Sequence, residues 1–83
     1  MARSLIRFSV NDEQNNATGL AVRATLEGGG FVRIGTGTFE ANGPAPHALV
    51  ATLRAALDQL GQPPGGGVLD HFWVYLDNPV GPN

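Results

Sequence analysis

The chain contains no cysteine and no lysine. The first absence excludes disulfides, thiolate metal ligands and thiol chemistry. The second excludes a phosphate loop of the Gly-Lys-Ser/Thr type and leaves five arginines as the permanent cations. Long apolar runs are also missing: none approaches the roughly 20 residues of a membrane-spanning helix, so no membrane role is expected. The opening "MARSLIRFSVNDE" is interrupted by Arg7 and Ser9 and offers no small-residue cleavage site, which predicts no secretory leader and a cytoplasmic location. Positive charge is scarce. Seven acids outweigh the arginines, for a net charge of −2, which argues against a broad electrostatic footprint for nucleic acid.

What is present fits one small globular domain. The chain has 83 residues, of which 42% are hydrophobic. A domain of this size buries only about 60–65% of its unfolded surface, so a homodimer or another protein partner is expected. Residues 1–78 read as the domain and 79–83 as a flexible C-terminal tail.

Three segments read clearly. In "SLIRFSV", residues 4–10, Ile6, Phe8 and Val10 alternate with Leu5, Arg7 and Ser9, the pattern of a half-buried strand. In "HALVATLRAALDQLG", residues 47–61, Leu49, Leu53, Leu57 and Leu60 with Ala56 form a helical stripe that Gly61 ends. In "VLDHFWVYLD", residues 68–77, Phe72, Val74 and Leu76 point one way and His71, Trp73 and Tyr75 the other. "FVRIGTGTFEA", residues 31–41, is β-branched and aromatic and reads as one bent strand or two short ones broken near Gly35–Gly37. "QPPGGG" reads as a flexible connection.

Residues 17–27, "ATGLAVRATLE", carry two readings. Leu20, Val22, Ala24 and Leu26 alternate as in a strand, with the glycines behind them as a hairpin turn. Asn16 as N-cap, Gly28 as a helix stop and a stripe of Ala17, Leu20, Ala21 and Ala24 suit a helix. With the helix, the order becomes βαββαβ, the ferredoxin-like α+β arrangement: an antiparallel sheet with two helices on one face.

Between Gly30 and Glu40 the chain reads Gly-Phe-x-Arg-Ile through Phe39-Glu40, followed by the second helix and "DHFWVYLD". This order resembles the superfamily of the small CRISPR-associated nuclease of spacer adaptation and of virulence-associated protein D. The resemblance covers roughly residues 4–77 and selects the helix for residues 17–27. It implies a ferredoxin-like homodimer, in a toxin–antitoxin or phage-defence setting. The family's nucleases bind a divalent metal between protomers through an aspartate that follows an aromatic residue in the first strand. Here Ser9 follows Phe8, and a hydroxyl is a poor ligand for a hard cation. Asp12 and Glu13, in the loop beyond, are the nearest carboxylates. The resemblance therefore implies a non-catalytic relative with no cofactor or metal; the alternative is a magnesium-dependent endoribonuclease using Asp12 or Glu13.

"GGGFVRIGTGTFE" has Arg33 where a dinucleotide loop needs its third glycine, so its glycines read as a helix stop and a bend. His47 reads as a solvent-facing residue at a helix start. His71 could act on Ser9 only if an orienting acid were in reach. The open sheet face is the principal candidate site: Arg7, Ser9, His71, Trp73 and Tyr75, joined by Phe31 and Arg33. So many exposed rings are unusual in a monomer. A sheet-to-sheet homodimer explains them, with Trp73 and Arg7 or Arg33 as anchors; a stacking platform for single-stranded RNA is the alternative.

Overall fold

A computed structural model describes residues 2–12 and 15–77. The elements are β1 (Arg3–Asn11), α1 (Ala17–Gly28), β2 (Val32–Gly35), β3 (Thr38–Asn42), α2 (Pro46–Gly61) and β4 (Val68–Asp77). Residues 17–27 are thus helical, and the bent strand is a short β2–β3 hairpin. The expected tail at 79–83 lies outside the described residues.

The four strands form one antiparallel sheet in the order β2-β3-β1-β4. Strand β1 is central, so β1-α1-β2 and β3-α2-β4 each cross over one intervening strand. The architecture is α+β and compatible with a small ferredoxin-like fold. Register sets the two sheet faces: Ile6 lies opposite Phe39 and Val74, while Leu5 lies opposite Glu40 and Tyr75. The core joins Ile6, Phe8, Phe39 and Ala41 to Val22 and Leu26 of α1 and to Leu49, Leu53, Ala56 and Leu60 of α2. Both helices therefore cover the even-numbered face of β1, and the odd-numbered face is open.

Helix α1 buries Thr18, Val22 and Leu26, not the stripe of Ala17, Leu20, Ala21 and Ala24; Leu20 is 58% exposed. A local cap at one end of α1 and a tertiary strap at the other fix its rotation. At its C-terminal end the Phe31 N–H donates to the Leu26 carbonyl (2.9 Å) and the Gly30 N–H to the Glu27 carbonyl (3.1 Å). With Gly30 at φ +97 this is a Schellman cap, in which the residue after the glycine packs back on the helix. The helix stop falls within Gly28–Gly30, as expected, with Gly30 and not Gly28 in the left-handed C′ position. Asn16 holds the N-cap position as expected, but its backbone is left-handed and its side chain makes no capping hydrogen bond.

At the N-terminal end the buried Thr18 hydroxyl donates to the Gly66 carbonyl (2.8 Å) and accepts from the Gly65 N–H (2.9 Å). A Cβ at Gly65 would overlap the backbone of Ala17 and Thr18. The "QPPGGG" connection is thus strapped to α1, and its glycine serves a close approach instead of freedom.

Candidate functional site: a sheet edge and an arginine cleft

Two surfaces are built on this frame. The first is β4. It is the outermost strand on its side of the sheet and pairs along its length with β1. The register shifts between Ser9 and Val10: Ser9 faces His71 and Val10 faces Leu69, so Asp70 is an extra, bulged residue. Beyond it, His71–Asp77 runs regularly.

Of the nine exposed large hydrophobics among the described residues, five lie on β4: Val68, Phe72, Trp73, Tyr75 and Leu76. They occupy both faces. Phe72 and Leu76 share the helix side, and Trp73 and Tyr75 share the open side. The Trp73 and Tyr75 rings stack with centroids 6.3 Å apart and planes 12° apart. The Tyr75 hydroxyl donates to Asp77 at 2.9 Å, and this bond to a carboxylate raises the tyrosine pKa above its ordinary value.

The open face does carry Arg7, Ser9, His71, Trp73 and Tyr75, with Arg7 opposite Trp73 and Ser9 opposite His71. Two expected members are elsewhere. Phe31 is 2% exposed and sits in the core, because the Schellman cap turns it inward against Leu26. Arg33 lies opposite Phe39, so it faces the helix side. In their place the open face carries Val32, opposite Glu40, and the Arg3–Glu40 ion pair (2.8 Å).

Ser9 and His71 meet as cross-strand neighbours, and Asp70 Oδ2 lies 3.1 Å from His71 Nδ1. The three residue types of a hydrolytic triad are thus adjacent. However, no hydrogen bond joins Ser9 to His71 among the described residues, and Asp70 and His71 are both about half exposed. An activated serine needs a bonded base held by a shielded acid, and this grouping supplies neither. Asp12 is exposed at the end of β1 with φ 61, and Glu13 lies outside the described residues. Among the described residues no three His, Asp or Glu side chains gather as a metal site, and no helix is long and apolar enough to cross a membrane. His47 is exposed on the first turn of α2, as its sequence position indicates.

The second surface is a cleft of about 600 Å³ where the end of β1, the N-terminal half of α1 and the β2–β3 turn converge. Arg7, Arg23 and Arg33 line it, with Ser9, Thr36 and His71. Its wall depends on Gly37. The Phe8 N–H donates to the Gly37 carbonyl at 3.0 Å, and a Cβ on Gly37 would stand 2.5 Å from the Phe8 carbonyl oxygen, at φ +63. Gly37→Ala is expected to cost roughly 1–3 kcal/mol, read as a lower urea midpoint at unchanged slope.

Sequence reasoning missed the cleft because it placed Arg33 on the wrong face and Arg23 on no face. A usable signal existed. A tight hairpin at Gly35–Gly37 sets Arg33 near Phe39, a residue whose apolar side must face the helices. No protein-family model matches the chain, and neither the curated proteins nor the solved structures give a significant match.

Proposed function

We propose that this chain is a small interaction module of the ferredoxin-like type that works as a homodimer, joined edge to edge through β4. The observation that carries the reading is the concentration of exposed apolar side chains on both faces of a long edge strand. None of residues 68–77 is proline or lysine, the residues that commonly blunt such edges. A face-to-face dimer is less favourable. It would bury Arg7 together with the Arg3–Glu40 pair at the centre of the face, and desolvating charges is costly. Edge pairing leaves these groups in water.

The register of such a dimer follows from the side-chain pattern. In a continuous antiparallel sheet, opposed residues must share a face. The regular stretch His71–Asp77 is centred on Val74. With Val74 on the two-fold axis, Trp73 faces the second copy's Tyr75, Phe72 faces its Leu76, and His71 faces its Asp77. Apolar groups meet apolar groups and the ionisable groups pair. Centring on Trp73 or Phe72 instead sets an aromatic ring against His71 and separates His71 from Asp77.

The resemblance of residues 30–40 to the CRISPR-associated and virulence-associated nucleases supports a place beside that superfamily. It also supports a toxin–antitoxin or phage-defence setting for a binding protein. Light scattering at micromolar concentration tests the dimer: a mass of twice the 8.7 kDa of one chain is expected. A monomer persisting at high micromolar concentration refutes it.

A further inference from the structure

The arginine cleft points to a ligand. Three of the chain's five arginines reach it from three different elements: Arg7 from β1, Arg23 from α1 and Arg33 from β2. Among the described residues no carboxylate lines it, although acids outnumber arginines in the chain. Glu40, Asp70 and Asp77 bond outside the cleft, to Arg3, His71 and Tyr75 respectively, and among the described residues Glu27 alone pairs with a cleft arginine, Arg23.

Among the described residues Arg7 and Arg33 have no ion-pair partner. Arg23 meets Glu27 at 3.3 Å in an exposed i,i+4 pair, a contact that contributes only about 0.3–0.5 kcal/mol and is readily given up. Arg7 borders the cleft from the open side of the sheet and Arg33 from the helix side, so the cleft is positive at both rims and an anion within it is favoured. The volume, about 600 Å³, is that of a small-molecule site. Guanidinium groups bind phosphate oxygens in pairs and with defined geometry.

We propose that this cleft binds a phosphorylated small molecule of nucleotide size, its phosphate oxygens held by Arg7, Arg23 and Arg33. The site is complete within one chain and does not depend on the β4 dimer. Pairing of His71 with the second copy's Asp77 leaves the three arginines for the ligand.

Isothermal titration calorimetry at low salt, with ATP, tripolyphosphate and adenosine as probes, tests the proposal. ATP and tripolyphosphate are expected to bind and adenosine is not, and added sodium chloride should weaken binding. Arg33→Gln and Arg7→Gln should each weaken it roughly tenfold or more, the usual scale for losing a charged hydrogen-bonding partner. Arg54→Gln, on exposed α2 and away from the cleft, should leave it unchanged. Thermal melting of each variant separates lost binding from lost fold. Failure of both ATP and tripolyphosphate to bind at millimolar concentration overturns the proposal. So does equal loss in the Arg54 variant, or binding that requires an RNA octamer and is absent for both small probes.

Discussion

Trp73→Glu is expected to turn the dimer into a monomer while the chain stays folded. Trp73 is 54% exposed in the single chain, so the fold does not depend on its ring. Across the proposed two-fold axis it meets the second copy's Tyr75, and symmetry repeats the contact. Truncating a well-packed interface tryptophan typically costs about 2 kcal/mol or more. Two such losses give about 4 kcal/mol, a roughly thousandfold rise in the dissociation constant. The glutamate adds a charge that must be desolvated. Light scattering reads the mass, and circular dichroism checks the fold. A variant that remains a dimer removes Trp73 from the interface.

The register can be read covalently, because the natural chain has no cysteine to compete. In a His71→Cys/Asp77→Cys variant, the two positions are six residues apart on one strand. They are too distant to bridge within a chain, at about 3.3 Å per residue. Oxidation should therefore yield a covalent dimer. A His71→Cys/Tyr75→Cys pair, opposed only if Trp73 sits on the axis, should cross-link poorly. The reverse outcome would move the axis from Val74 to Trp73.

Leu26→Ala carries the largest expected effect on stability. Leu26 is fully buried, and its carbonyl accepts the Phe31 N–H of the Schellman cap. It therefore supports the end of α1 and the inward turn of Phe31 together. Replacing a buried leucine by alanine costs about 2–5 kcal/mol through lost transfer energy and the cavity left behind. A domain of this size loses roughly 4–8 °C in Tm per kcal/mol, so a fall of at least about 8 °C is expected by calorimetry. A fall of only a degree or two would mean that the core closes over the gap. Leu20→Ala, one turn and a half earlier on the exposed side of α1, should be close to neutral by comparison.

The contrast between these two leucines marks where sequence legibility ended. Both belong to the period-two alternation, but the helical stripe of Ala17, Leu20, Ala21 and Ala24 took in Leu20 and left out Leu26, so periodicity in residues 17–27 ranked them in the wrong order. What ranks them is the Thr18 strap to Gly65 and Gly66, a contact between distant parts of the chain, together with the local cap at Gly30. Phe31 differs. Its apolar character was plain, and the Gly30-Phe31 step after α1 is itself the local pattern of a Schellman cap, in which the Phe31 N–H bonds to the Leu26 carbonyl; reading it as a β2 residue overlooked that cap. Arg33 followed from the same error, since the face of β2 is set by the hairpin register with β3.

The first and last strands behaved differently. Alternation in residues 4–10 and 71–77 fixed which side chains share a face, because a strand has a strict period of two, and only the bulge at Asp70 interrupts it. The leucine repeat of residues 47–61 likewise fixed α2 and its buried side. Composition alone excluded thiol chemistry and a lysine-based phosphate loop. Tertiary structure decided the rest. Strand order made β4 an edge and so left its apolar residues uncovered. Crossing elements brought Arg7, Arg23 and Arg33 to one cleft from positions 7, 23 and 33 of the sequence. Convergence of that kind is a property of chain path, and a one-dimensional pattern holds no record of it.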